Sequence, residues 1–539
     1  MLLERVVLAE EQRLVQNEQI RHSKSEVFLT MKDDAQQTTS VWMATADTPS
    51  EPRLTEDIRT DVCIVGAGIA GMTTAYLLAR EGRAVVVLDD GAIGGGMSGR
   101  TTAHLTNAFD DRYVEMERLH GEQGSRLIAE SHTAAIDKIE EIVTREAIDC
   151  GFERLDGFLF VPPGESTSVL DDELVASHRA GLRVERVDRA PIDTFDTGPA
   201  LRFSAQAQFH PLYYLTGLTK AVQRDGGQVF THTHAAEIEG GAQGKVRSTS
   251  GVVVSCDAIV VATNTPVNDL VAIHTKQAPY VTYVIGLRVP ARSITRALYW
   301  DTPDPYHYVR LQSDNDDPSS EILIVGGEDH KTGQANDGMR RFENLERWTR
   351  ERFPQAGKVD FRWSGEVMEP VDGIAFIGRN PLDADNVFIA TGDSGQGMTH
   401  GTIAGILLTD LLQGRKNPWE DLYSPSRITL KALPEFAKEN VNVATQYTDL
   451  VTPGEIESVD EVVRGEGAIL RDGLTKVAVY RDEAGKVFKL SAICKHLGCV
   501  VAWNSTEKTW DCPCHGSRYD AHGRVYQGPA NSDLSDTEL

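Results

Sequence analysis

The chain has 539 residues, which at roughly 100–200 residues per domain implies about three domains, and its 40% hydrophobic content supplies cores of ordinary size. No run approaches the ~18 apolar residues of a membrane span. A formal net charge of −26 argues against a nucleic-acid binder, which needs clustered Lys and Arg against phosphate, and against an anionic membrane surface.

Residues 1–50 are charged and lack the apolar centre of a secretory signal. They are expected to form a poorly ordered leader on a cytoplasmic protein, with Met31 a second candidate start. D-V-C-I-V-G (61–66) reads as a buried strand, 67–81 as a helix and A-V-V-V-L-D (84–89) as a second strand, together a βαβ unit. A long amphipathic helix is predicted over 125–147. The stretch 152–370 mixes loops with strands at 158–161, 258–263, 281–289, 306–311 and 322–326. N-V-F-I-A-T (386–391) is another buried strand, followed by Gly392, Gly395 and Gly397 and a helix over 398–413. A polar, Pro-containing connection (416–454) then leads to Gly-punctuated short strands from about 455, with a turn at 482–485, the pattern of a small β domain.

Gly66-Ala67-Gly68-Ile69-Ala70-Gly71 is G-x-G-x-x-G placed between a strand and a helix. Gly66 makes the tight turn, Gly68 lets backbone approach a pyrophosphate, and Gly71 allows close helix–strand packing. Asp89 ends the second strand, where a carboxylate can bond ribose hydroxyls. The motif indicates a dinucleotide without choosing between NAD and FAD. No second G-x-G-x-x-G follows a strand, which disfavours a simple NAD(P)H-to-cluster reductase.

Two further stretches are G-G-G-M-S-G-R-T-T (94–102), directly after the second strand, and A-T-G-D-S-G-Q-G-M-T-H-G (390–401). With these, residues 60–415 resemble the D-amino-acid-oxidase-like family of FAD oxidoreductases. The resemblance implies that Gly95, Gly96, Ser98, Arg100, Thr101 and Thr102 pass along the pyrophosphate and flavin. It implies that Gly392, Gly397, Met398 and Thr399 return at the flavin's O2 edge, where a helix N-terminus stabilises negative charge. A-T-N-T-P (262–266) is similar to the family's strand end beside FAD.

At the C-terminus, Cys494-x-His496 and Cys512-x-x-His515 form a two-Cys, two-His ligand set that suits either zinc or a [2Fe–2S] cluster. The surrounding C-K-H-L-G-C (494–499) and C-P-C-H-G-S-R-Y (512–519) resemble the Rieske iron–sulfur domain. That resemblance implies Cys494 and Cys512 on one iron, His496 and His515 on the other, a Cys499–Cys514 disulfide between the two loops, and Ser517 and Tyr519 donating to sulfur. Such donors raise the potential, toward the upper part of a range of roughly −150 to +300 mV. No Asp/Glu–His–His run supports the second iron site of a Rieske oxygenase.

In P-Y-H-Y-V-R (305–310), strand alternation puts Tyr306, Tyr308 and Arg310 on one face, and Arg310 could clamp a substrate carboxylate. His330, in V-G-G-E-D-H-K-T-G (325–333), is a further candidate for the active site, whereas Asp372 reads as structural. The expected fold class is α/β, a Rossmann-like FAD-binding fold with an interleaved α+β substrate domain, plus a small all-β Rieske domain. The FAD-dependent oxidoreductase domain is expected over 55–415, with FAD-binding segments near 55–150, 200–270 and 370–415 and substrate-domain segments near 151–200 and 271–370. The Rieske domain follows at 455–539. The expected function is dehydrogenation of a small amine or amino acid at FAD, with electrons leaving singly through the cluster to an external acceptor. The alternative is an electron-transfer or redox-sensing module with no organic substrate. No nucleic-acid partner is expected.

Overall fold

A computed structural model describes residues 38–268 and 272–537. Its centre is a six-stranded sheet in the order Phe376–Arg379, Val387–Thr391, Ala258–Val261, Val62–Val65, Val85–Leu88, Gln228–Phe230. All neighbours are parallel except the first pair. The strands V-C-I-V, V-V-V-L and A-I-V-V are buried along their whole length, as a parallel sheet covered on both faces requires. Helices Ile69–Arg80 and Gly397–Leu412 pack against each other beside this sheet through Gly401 and Gly405, where a Cβ would meet Ile69 and Thr73.

The predicted helix over 125–147 is longer, Arg112–Glu146, and is broken at Gly121, whose φ of 72° is not helical. The middle of the chain forms a nine-stranded sheet dominated by Gln277–Pro290, Ser320–Lys331 and Val359–Pro370. Its face carries a second core around Ile285, Leu323 and Phe342. The connection before the β domain holds a 14-residue helix, Leu433–Gln446. The C-terminal domain is two small antiparallel sheets, strands Glu466–Asp472, Thr475–Arg481 and Val487–Ser491, then Ala502–Asn504 through Val525–Gln527.

The expectation of a poorly ordered leader falls outside the described residues for 1–37. For 38–50 it is corrected. Residues Val41–Thr45 form a helix capped by Ser40, Trp42 is completely buried, and its indole donates to Thr101 O at 2.6 Å. An indole buried against the predicted cofactor segment holds this stretch down. Among the described residues no helix is long and apolar enough to cross a membrane.

Candidate active site and iron–sulfur centre

The G-x-G-x-x-G turn is built as its residue types demand. A Cβ on Gly66, where φ is +109°, would lie 2.4 Å from Ala262 O, and one on Gly71 would lie 1.9 Å from Gly66 O. The two glycines let the turn, the helix and the neighbouring strand end close on one another. A Cβ on Gly68 would lie 3.0 Å from Ser98 Oγ, which accepts from Ile69 N at 3.0 Å at the helix N-terminus. Asp89 accepts from Ala67 N at 2.6 Å and Gly91 N at 2.8 Å. Burial, then Asp90, pushes its carboxyl up to about 6.

From this turn a cleft runs through two connected cavities that share Met97, Ala262 and Asn264. The first cavity is walled by Gly66, Gly68, Asp89 and Gly96. The second is walled by Ser98, Thr101, Thr102, Gly392, Gly397 and Met398, so the predicted segments do converge. Gly71 and Thr399 stand behind the wall, the Thr399 hydroxyl donating to Gln396 O, and Gly95 is folded against Ala92 O.

Three predicted residues are placed differently. Arg100 contributes to the second cavity, but its guanidinium turns away to Thr38, to Ser364 O at 2.8 Å and to Glu507 of the C-terminal domain at 3.5 Å. Arg310 does not line the cavity. It is fully buried, with Nη1 donating to Thr102 O, Ala103 O and Phe209 O at 3.0, 2.8 and 3.3 Å and Nη2 to Gln312 Oε1. Fully buried and bonded at both Nη1 and Nη2, the guanidinium is out of reach of a substrate carboxylate in the cavity. His330 also misses the cavity, its Nε2 lying 3.0 Å from Tyr283 OH and its Nδ1 2.8 Å from Lys331 O. The strand alternation that puts His330 away turns Asp329 in, and Asp329 does line the cavity. Tyr308 lines it as expected, with its hydroxyl 2.7 Å from Thr282 Oγ1. Asp372 is structural, held by Arg427 in a bidentate pair at 2.7 and 2.8 Å and by Thr429.

At the other end of the chain, Cys494, His496, Cys512 and His515 converge. The imidazole centroids of His496 and His515 are 4.9 Å apart. Cys494 and Cys512 are unbridged and buried, and their thiols share a hydrogen bond that favours one thiolate between them. Burial keeps His515 neutral by pulling its pKa down to about 3, and its Nδ1 is buried with no hydrogen-bond partner. Two sulfurs and neutral imidazole nitrogen are the donors a Rieske cluster takes, so the residues present fit that group. The Cys499–Cys514 disulfide is formed. Tyr519 OH lies 3.3 Å from Cys494 Sγ, and the Ser517 hydroxyl, which accepts from Ala530 N, also reaches Cys494.

The two regions are joined. The first cavity is walled on its far side by Tyr526, Gln527, Gly528, Ala530 and Asn531 of the C-terminal domain. Asn531 donates to Ala235 O and Ala236 O at 3.0 Å, and Gln527 donates to the buried Glu366, which lines the second cavity. His274, 2% exposed, lies with its ring centroid 4.7 Å from that of His496 and 6.0 Å from that of His515. Nothing in the sequence marks His274, Glu366 or Glu507, because each matters through a partner hundreds of residues away or across a domain boundary.

A family model for FAD dependent oxidoreductases matches residues 61–411. The chain belongs to this family. A Rieske [2Fe-2S] domain model matches residues 453–538. The oxidoreductase therefore carries FAD and a [2Fe–2S] cluster, and the cradle around Gly66 and the donors around His515 suit them. A putative Rieske 2Fe-2S iron-sulfur protein, YhfW of Bacillus subtilis (strain 168), is 32% identical over 504 residues, 92% of this chain and 97% of that one. Gamma-glutamylputrescine oxidoreductase of Escherichia coli (strain K12) is 28% identical over 385 residues, 67% of this chain and 85% of that one. Among solved structures, glycine oxidase from Geobacillus kaustophilus shares the fold at a TM-score of 0.55 and 18% identity, over 69% of this chain and 99% of that one.

Proposed function

We propose that the chain dehydrogenates a small amine or amino acid at FAD and passes the electrons singly through the cluster to an external acceptor. The observation that carries this reading is the seating of the C-terminal domain, whose Tyr526–Asn531 stretch walls the same cleft as Gly66 and Gly68 while His274 touches both cluster-side histidines. FAD, when bound, supplies two-electron acceptance, and the cluster supplies one-electron exchange. Gly66, Gly68 and the helix N-terminus at Ile69 would hold the pyrophosphate, Asp89 the ribose, and Ser98, Thr101, Thr102, Gly397 and Met398 the flavin end. The N-terminal end of helix Gly397–Leu412 favours negative charge at that end of the cleft.

An amine must lose its ammonium proton before a C–H bond beside nitrogen is cleaved. The Asp329 carboxyl in the cavity wall, raised by burial to about 6, can hold that proton. Asp329 enters the cavity where His330 was the candidate, and among the described lining residues none is free to clamp a carboxylate as Arg310 was expected to. An amine or amino-acid substrate is supported by the activities that name the related gamma-glutamylputrescine oxidoreductase and glycine oxidase. A module without a substrate of its own would need no polar pocket, yet Asp110, Asp329 and Glu369 line this one.

The test is anaerobic mixing of the oxidised protein with a panel of amines and amino acids, followed by freezing and electron paramagnetic resonance. A substrate that bleaches the flavin and raises the reduced-cluster signal without added reductant is the expected result. Flavin bleaching with the cluster left oxidised would remove the electron-export step.

A further inference from the structure

Among the described residues, five carboxyls line the second cavity, those of Asp110, Asp329, Glu366, Glu369 and Asp393. Asp110, Asp329 and Glu369 line it together with Trp300, Tyr306 and Tyr308. Asp110 links the three electrostatically, acting with Asp329 and with Glu369. Asp110 is raised to about 7 by desolvation, then by Asp111 and Asp329, and Glu369 is raised by burial, then by Asp111, with Asp110 contributing. Two of the acids have partial support, since Tyr306 OH lies 3.4 Å from Asp110 Oδ2 and Ser394 Oγ donates to Glu369 Oε2 at 2.7 Å. Asp329 is supported by Thr282 and by the charge of Arg341 outside the wall, but its Oδ1 is buried with no hydrogen-bond partner.

No positive charge offsets them from within the wall. Among the described residues lining the cavity, Arg100 is the sole Lys or Arg, and its guanidinium is committed to Glu507, Thr38 and Ser364. His104 and His400, also in the wall, are held neutral by burial, with pKa values pulled down to about 3 and about 4. Mutually repelling carboxylates with one unsatisfied oxygen, beside three aromatic rings, are the complement of an alkylammonium group. The carboxylates supply charge and hydrogen-bond acceptors, and the ring faces supply cation–π attraction.

We infer that the cavity selects a substrate with a second positive charge, an α,ω-diamine or a longer polyamine-like cation, over one that carries a carboxylate. This rests on the reading that the cavity is the substrate site. One ammonium is then held by Asp110 and Glu369, while the other nitrogen gives its proton to Asp329 and presents its carbon to the cofactor end. A carboxylate at the same place meets the charged fraction of these carboxyls and no lining Lys or Arg free to pair with it, the repulsive half of a specificity device.

The test is equilibrium binding to the full-length, FAD-loaded, oxidised protein under anaerobic conditions, followed by the flavin absorbance shift and by calorimetry. The probes are 1,4-diaminobutane, n-butylamine and 4-aminobutanoate, which share a chain length and differ only in the far group. The expected order of affinity is diamine, then monoamine, then amino acid, with steps of about tenfold, equivalent to ~1.4 kcal/mol each. The diamine's advantage falls to near unity in Glu369→Gln and Asp110→Asn, and it shrinks as salt is raised. 4-Aminobutanoate binding as tightly as the diamine overturns the inference, and so does a diamine advantage that survives both substitutions. Should a variant fail to load FAD, the wild-type affinity order and its salt dependence still decide. Binding is scored before turnover, so amines that bind in the expected order but never bleach the flavin would count against the proposed reaction and not against this selectivity.

Discussion

The guanidinium of Arg100 lies 3.5 Å from the carboxylate of Glu507, with both side chains buried to within 1% of full exclusion from solvent. One residue belongs to the segment beside the cofactor and the other to the Rieske domain. Ser364 Oγ donates to the same carboxylate at 2.5 Å, and Thr38 donates to it as well. A buried ion pair contributes little net stability over an apolar replacement, but removing one member strands the other charge. Glu507→Gln should therefore cost about 3 kcal/mol, and Arg100→Met/Glu507→Met distinctly less. Because unfolding of several domains is not two-state, the readout is the thermal midpoint of the flavin and cluster signals scanned separately. Equal losses in the single and double variants would show that the pair does not couple the domains.

Gly66→Ala and Gly71→Ala bring a Cβ to within 2.4 Å of Ala262 O and 1.9 Å of Gly66 O. Neither contact can relax without opening the strand–turn–helix junction. Both variants should purify with flavin-to-protein ratios reduced about tenfold, the scale of losing ~1.4 kcal/mol or more of binding, while iron content stays at two per chain. Flavin released by heat and iron measured on the same samples check this.

Two sets of carboxyls titrate in opposite directions. Burial raises Glu366 to about 8 and Asp329 to about 6, both above their unfolded values, so the folded chain binds these protons more tightly than the unfolded chain. Their contribution is full at low pH and is lost as pH rises from about 4 to about 8. Asp372 is opposed by burial, but Arg427 outweighs it and holds the carboxyl at about 2, so its contribution is present above about pH 4 and lost only as pH falls toward 2. Denaturant midpoints should therefore decline from pH 5 to pH 8, and Glu366→Gln should flatten that decline. A midpoint that rises over the same interval would contradict the assignment.

Tyr519 OH and Ser517 Oγ both reach Cys494. Donors to a cluster sulfur or its cysteine stabilise the electron-rich reduced form, so Tyr519→Phe and Ser517→Ala should each lower the cluster potential, with the double variant lowest. His515→Ala should lose the cluster while retaining FAD. Potentials from spectroelectrochemical titration decide the first point, and iron content with the flavin spectrum decides the second.

The two cofactor sites were legible in the sequence because each is local. Six residues around Gly66 make the phosphate turn, and two short loops hold all four cluster-side ligands and the disulfide. What was not legible depends on segments brought together from far apart. Arg310 reads as a clamp by strand alternation, but its guanidinium is captured by carbonyls of residues 102, 103 and 209. His330 and Asp329 are adjacent, and only the orientation of the strand decides which of them enters the cavity. Trp42 gives no periodic signal in a five-residue helix, yet it is buried against Thr101. Asp110, Asp329 and Glu369 are single acids in an acidic chain, and their meaning appears only when one cavity gathers them.

With the FAD and Rieske domains of one chain in direct contact, electrons entering at the flavin should reach the cluster. The most direct test is an anaerobic reductive titration of the purified full-length protein, followed by visible absorption and by electron paramagnetic resonance at each addition. Three electrons per chain are expected, two for FAD and one for the cluster, with the two sets of bands bleaching at separable potentials and equilibrating within mixing. Uptake of only two electrons with a flavin spectrum alone, or a cluster that is reduced only through an added mediator, would contradict it.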